Sequence, residues 1–287
     1  YGPEGMNLEE SRAVAIGGCL ETSPCSWMPL TLNGKRYWIP GGSGQPTSVG
    51  VHFISLPKIL ELVLFDGMDL RTGLRVFPAH GKRLDTYEDL FDQVRAYFGR
   101  AVQVLALTNN IQHDIWRKNN MAIFQSLLKP DCLEKGHLIN ELGYRYNATH
   151  NVETCGTANL VNSLAALKKL VYEDAEVTLD ELREALRENF GFKTATEVGS
   201  YSLADQEKQE GMDHYDRIHY LCLTAPKYGN DDSTVDSILK EWEDWFCAMC
   251  HGYESLNAHT YYPCQISVST HAPMGAATLA TPDGRLA

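Results

Sequence analysis

Apolar residues recur at helical spacing along much of the chain. Val235, Ile238, Leu239, Trp242, Trp245, Phe246 and Met249 follow one another at intervals close to three and four, which places them along a helix over 232–254. The apolar run 158–172 and the stretch 57–65, opened by Pro57, read as two more helices. A mostly helical segment is expected over 84–128, with Asp85 or Thr86 as its cap. Its later part, 109–120, is unusually polar for a segment holding Ile115 and Trp116, so its polar face is expected to lie against other protein. Thr178-Leu179-Asp180-Glu181 is a capping box for a helix running to Phe190 and closed by Gly191, and another helix is expected over 202–224.

Alternation marks the strands. Val49, Val51 and Phe53 alternate with Gly50 and His52, giving a short strand ahead of the Pro57 helix. Tyr144 and Tyr146 mark a strand within 143–149, and 262–269 reads as a buried strand. Short apolar runs within 25–39 flank Asn33-Gly34, the residue pair of a tight hairpin turn. A strand, the bend Cys155-Gly156-Thr157 and then an apolar helix make a βα unit, so the class is α/β. With no repeat, low-complexity stretch or linker, 1–287 reads as part of one domain.

Composition narrows the function. The 287 residues are 44% hydrophobic and 22% charged, an ordinary globular balance. A net charge of −12 argues against a nucleic acid or an anionic membrane as partner. No run of about 18 apolar residues offers a membrane span. No leader pattern opens the chain, and Thr281–Ala287 is turn-like, so the sequence reads as an internal piece of a longer cytoplasmic protein. The eight cysteines lack the regular spacing of a disulfide framework, as expected of free thiols in a reducing compartment. Cys247-Ala248-Met249-Cys250-His251 has the form of a c-type haem attachment sequence, but it lies inside the Trp242 helical stripe and reads as two helical cysteines. As a zinc half-site it lacks a second pair, and no metal is expected. The loop 40–46 lacks the Gly-Lys-Ser/Thr ending of a phosphate-binding loop.

The candidate chemistry centres on Gly17-Gly18-Cys19-Leu20-Glu21. In extended backbone, Cys19 and Glu21 would share a face, setting a thiol or sulfur radical beside a proton acceptor. Further candidates are His52, His80, His113, Glu153 and His271, each of which, taken alone, reads first as a structural residue. Glu153 is the most suggestive, because it precedes a bend at a strand end, where α/β folds gather their sites.

Gly18-Cys19-Leu20-Glu21, followed by Thr281-Pro282-Asp283-Gly284-Arg285, resembles the glycyl radical enzymes of the pyruvate formate-lyase type, which carry a Gly-Cys-aliphatic-Glu loop and a Thr-Pro-Asp-Gly-Arg segment in that order. Within the family, the stretches 19–24, 44–54, 109–121, 142–147 and 265–271 are similar to its arylacetate decarboxylases. The resemblance implies a ten-stranded α/β barrel of two five-stranded half-barrels wrapped by helices, of which this chain is a part, with the Cys19 loop at the centre. It implies a protein-derived glycyl radical on a second loop outside residues 1–287, installed by an activating enzyme that uses S-adenosylmethionine and a 4Fe–4S cluster.

Carried over residue by residue, the resemblance makes Cys19 the thiyl and Glu21 its proton donor or acceptor. His52 and Glu153 are the pair that holds the substrate's para hydroxyl. The implied reaction is decarboxylation of 4-hydroxyphenylacetate to 4-methylphenol (p-cresol). Indole-3-acetate, giving skatole, is the alternative substrate; another glycyl radical lyase or dehydratase, an inactive scaffold and a thiol hydrolase are the remaining readings. A dimer of large subunits and a small iron–sulfur subunit are the implied partners.

Overall fold

A computed structural model describes residues 14–16, 22–42, 53–119, 122–141, 143, 150–193, 213–253, 261–267 and 270–287. In chain order its elements are β1 (Val14–Ile16), β2 (Thr22–Leu32), β3 (Lys35–Gly42), β4 (Phe53–Ser55), α1 (Leu56–Leu64), β5 (Met68–Asp69), β6 (Leu74–Arg75), α2 (Tyr87–Asn119), α3 (Ile123–Leu127) and α4 (Pro130–Lys135). They continue with β7 (His150–Cys155), α5 (Thr157–Leu167), α6 (Leu179–Arg187), α7 (Asp216–Thr224), α8 (Ser233–His251), β8 (Tyr261–Gln265) and α9 (His271–Ala276). The chain divides into two compact units: Tyr1–His52, Val102–Val152 and Cys247–Cys264 form the first, and Phe53–Ala101, Glu153–Phe246 and Gln265–Ala287 the second.

In the first unit β1, β2 and β3 form an antiparallel sheet in that order. The expected hairpin closes β2 on β3 with Leu32 opposite Lys35. Asn33 and Gly34 both take positive φ, 50° and 73°, the pairing that matches the twist of the flanking strands. Within 109–120, Asn109 and His113 are buried while Ile111 and Ile115 are more than half exposed. The polar face of that segment thus lies against protein, as its composition suggested.

The second unit is built on two hydrophobic groups. Leu56, Leu60 and Val63 of α1 and Leu160, Leu164 and Leu167 of α5 are buried at helical spacing. A second group is aromatic: Phe98 meets Trp242 edge-on at 5.2 Å and Phe246 at 5.3 Å between ring centroids. The Trp242 stripe is therefore core, and Cys250, on the same helix, is fully buried.

Helix boundaries differ from expectation for identifiable reasons. The segment 84–128 forms α2 and then a separate α3, because Ala122 takes left-handed φ of 44° between them. The cap at its start is Thr86, which accepts from the Asp89 N–H at 3.1 Å while its own N–H reaches Asp89 Oδ2 at 3.2 Å. Thr86→Ala is expected to cost about 1 kcal/mol locally, read as an about fivefold loss of hydrogen-exchange protection confined to the first turn of α2. The apolar run 158–172 is α-helical to Leu167 and then widens to a π-helix over Lys168–Glu173.

The helix capped by Thr178, with its full capping box, stops at Arg187 rather than Phe190. Asn189 and Phe190 turn left-handed, which carries the Phe190 ring into the core. The helix expected over 202–224 is described only as α7, since 194–212 lie outside the described residues. Residues 144–149 also lie outside; the strand near them is β7, which begins at His150. The strand expected over 262–269 is β8, and it is not buried throughout: only Tyr261 is.

Candidate active site

Cys19 and Glu21 lie between β1 and β2, and His52 one residue before β4; all three lie outside the described residues. Glu153, on β7, is described. Strands β4 and β7 are parallel, with Phe53 opposite Glu153, Ile54 opposite Thr154 and Ser55 opposite Cys155. Each runs directly into a helix, β4 into α1 and β7 through Gly156 into α5. Gly156 has φ of 83°, and a Cβ there would stand 2.6 Å from Pro57 Cδ. Only glycine permits both the left-handed turn and this closeness, so the starts of α1 and α5 pack against each other. The Ile266 N–H, just beyond β8, bonds Thr154 O at 3.0 Å and continues the sheet beside β7.

Glu153 is 4% exposed. A carboxyl so placed can hold a hydroxyl or transfer a proton, since water does not compete for it. Cys155, two residues on, shares its face of the strand. Burial pushes the Cys155 thiol up, and the neighbouring Glu153 carboxylate pushes the same way. Cys155 therefore stays a protonated thiol at neutral pH and is a poor nucleophile.

The other described candidates have local explanations. His80 donates from Nε2 to Val63 O at 3.1 Å and accepts the Lys82 N–H on Nδ1 at 3.1 Å, which fixes its ring as part of the α1–α2 connection. His113 is buried edge-on to Trp116, and burial, helped by Arg117, holds its imidazole below the ordinary range. His271 is exposed at the first position of α9.

Residues 281–285, read from sequence as a turn, form a tightly bonded knot. Thr281 N–H donates to Arg285 O and Gly284 N–H to Thr281 O, both at 2.9 Å. Gly284 takes φ of 91° with Leu223 Cδ2 only 2.7 Å from where a Cβ would be. Inside the knot Thr281 Oγ1 donates to Asp283 Oδ1 at 2.5 Å. From outside, the Asn159 amide on the first turn of α5 donates to Asp283 Oδ2 at 2.7 Å.

Glu61 of α1 accepts the Leu279 N–H at 2.8 Å and the Lys58 ammonium at 2.6 Å. Lys58 also reaches Asp69 Oδ1 and Ala277 O, each at 2.8 Å. Burial raises the Glu61 carboxyl, against the lowering effect of those two hydrogen bonds. Sequence reasoning missed Lys58, Glu61 and Asn159. Their one signal was that charged or amide groups occur in otherwise apolar helices.

The pyruvate formate lyase-like family profile matches residues 3–275. The chain belongs to the pyruvate formate lyase-like family. It is 58% identical over 286 residues to the 4-hydroxyphenylacetate decarboxylase glycyl radical subunit of Clostridioides difficile (strain 630), covering 100% of this chain and 32% of that protein. It is 36% identical over 295 residues to the indoleacetate decarboxylase of Tractidigestivibacter scatoligenes, covering 100% of this chain and 31% of that protein.

Among solved structures, one concerned with 1,2-propanediol dehydration in Roseburia inulinivorans is 27% identical with a TM-score of 0.78, over 99% of this chain and 32% of that one. The chain thus spans about a third of the length of the relatives it matches. The pyruvate formate lyase-like fold expected from the Cys19 loop is borne out, and this chain forms part of that α/β architecture. Among the described residues no helix is long and apolar enough to cross a membrane, and no group of three or more His, Cys, Asp or Glu side chains could hold a metal ion.

Proposed function

We propose that this chain is the thiyl-bearing part of a glycyl radical decarboxylase that converts 4-hydroxyphenylacetate to p-cresol and CO2. The observation that carries the reading is the end-to-end likeness to the 4-hydroxyphenylacetate decarboxylase subunit, at 58% identity against 36% for the indoleacetate enzyme. The glycyl radical, on a segment outside residues 1–287, supplies the removal of the thiol hydrogen atom from Cys19. Cys19 faces the substrate carboxylate, and Glu21 exchanges a proton with its sulfur. Glu153, buried on β7, and His52, which immediately precedes the strand paired with β7, hold the para hydroxyl at the far end of the ring.

One electron passes from the ionised substrate to the Cys19 thiyl, and Glu21 protonates the resulting thiolate; the bond to the carboxylate breaks, releasing CO2 and leaving a benzylic radical whose unpaired electron the arene spreads. The hydrogen atom that completes the methyl group returns from the Cys19 thiol. Fixing the phenol end sets the carboxylate at the sulfur, which is the positional work asked of His52 and Glu153.

The whole protein works in the cytoplasm as a dimer of large subunits. A small iron–sulfur subunit accompanies it, and a separate activating enzyme bearing a 4Fe–4S cluster uses S-adenosylmethionine to install the radical. Equal 4-hydroxyphenylacetate and indole-3-acetate, offered to the full-length protein after anaerobic activation, test the substrate. Gas chromatography is expected to find p-cresol in large excess. Predominant skatole would overturn the phenol assignment and leave the role of Cys19 standing.

A further inference from the structure

The two helices at the ends of the site strands are tied to each other through one segment, Ala277–Arg285. On the α1 side, Glu61 holds the Leu279 N–H and Lys58 holds Ala277 O. On the α5 side, Asn159 holds Asp283. Inside the segment, Arg285 bonds Leu279 O at 2.6 Å and its N–H reaches Asp283 Oδ1 at 3.3 Å, which joins the two anchor points.

This bracing has a physical purpose. Among the described residues, β4 and β7 are joined by three residue pairs. A slip of one residue along that ladder would turn Glu153 to the opposite face of the sheet. That register is coupled to the placement of α1 and α5, which continue directly from the strand ends. A link between Lys58–Glu61 on one helix and Asn159 on the other resists sliding of one strand–helix unit along the other.

We propose that Asn159 and Glu61 are positioning residues, which act through the Leu279–Arg285 segment to hold β4 and β7 in the register that aims Glu153 at the substrate. The inference rests on the assignment of Glu153 to substrate binding. It gives the Thr281–Arg285 turn a role distinct from that of the Cys19 loop: its effect reaches the substrate through strand register.

The test uses the full-length protein with its activating enzyme. Asn159→Asp sets two carboxylates against each other and breaks the link, while the exchange N159D/D283N restores it with donor and acceptor reversed. In the exchange variant the amide introduced at position 283 donates to the carboxylate introduced at position 159, and its oxygen still accepts from Thr281. The single variant is expected to raise KM for 4-hydroxyphenylacetate about tenfold, with the glycyl radical formed to the wild-type level, and the exchange to return KM to within about twofold of wild type.

Glu61→Gln, which keeps an acceptor for Leu279 but loses the charge facing Lys58, is expected to raise KM by a smaller factor in the same direction. An unchanged KM in Asn159→Asp, or no recovery in the exchange variant, overturns the proposal while leaving Glu153 in place. A fall only in radical yield or thermal stability, with KM constant, also overturns it, because that is the signature of a merely structural contact. Wild-type protein that carries the radical but does not turn over an arylacetate defeats the assignment of Glu153 itself, and the proposal with it.

Discussion

Cys19→Ser in the full-length protein is expected to lower p-cresol formation by at least about 10⁴-fold, into the background. Serine keeps the size and hydrogen-bonding ability of the residue, but its O–H bond is too strong to give up a hydrogen atom to a glycyl radical. The radical should therefore still be installed and remain visible by electron paramagnetic resonance, stalled for want of an acceptor. That pairing, with radical present and product absent, separates a lost relay residue from a failure to fold or to be activated. Turnover in the serine variant within about tenfold of wild type would remove Cys19 from the mechanism.

Gly156→Ala carries the second large effect, here on stability. The residue sits at φ of 83°, where a non-glycine backbone costs about 1–2 kcal/mol. The added methyl would also stand 2.6 Å from Pro57 Cδ and 2.8 Å from its Cγ, and forcing a carbon into packed surroundings costs about 1–3 kcal/mol. Together these predict a loss of about 2–5 kcal/mol in the second unit. Gly34→Ala is the matched control, because Gly34 has a similar φ of 73° but nothing within 4 Å of its Cβ position. It should lose only the backbone part. Thermal melts of the two variants are expected to differ about twofold in their shift; equal shifts would mean that the contact between the two strand–helix junctions has no energetic weight.

Features set by local forces were the ones legible in the sequence. The Asn33-Gly34 turn, the Thr178 box and the Trp242 stripe each depend on residues close together along the chain, and each formed where expected. The left-handed break at Ala122 was not legible, and neither was the early stop before Phe190, which tertiary burial decided: the Phe190 side chain enters the core by way of a left-handed backbone. Glu153 was legible as a strand-end carboxylate, but its burial and its register opposite Phe53 depend on a strand about 100 residues away.

The same applies to Asn159. Its partner Asp283 is 124 positions along the chain, and no spacing rule connects a first-turn amide to so distant a turn. The Cys19 loop was legible in another way, as a short text resembling a family. That route put Cys19 forward as the relay residue without any geometry, and the expectation of a pyruvate formate lyase-like fold agrees with the profile over 3–275.

The role proposed for Cys19 is removal of CO2 from an arylacetate rather than loss of water from a diol. The decisive measurement is to activate the full-length protein without oxygen, confirm the glycyl radical by electron paramagnetic resonance, and supply 4-hydroxyphenylacetate and 1,2-propanediol in separate reactions. Release of p-cresol and CO2 in equal amounts, with the diol untouched, is the expected result. A radical-bearing protein that dehydrates the diol and leaves 4-hydroxyphenylacetate intact would contradict it.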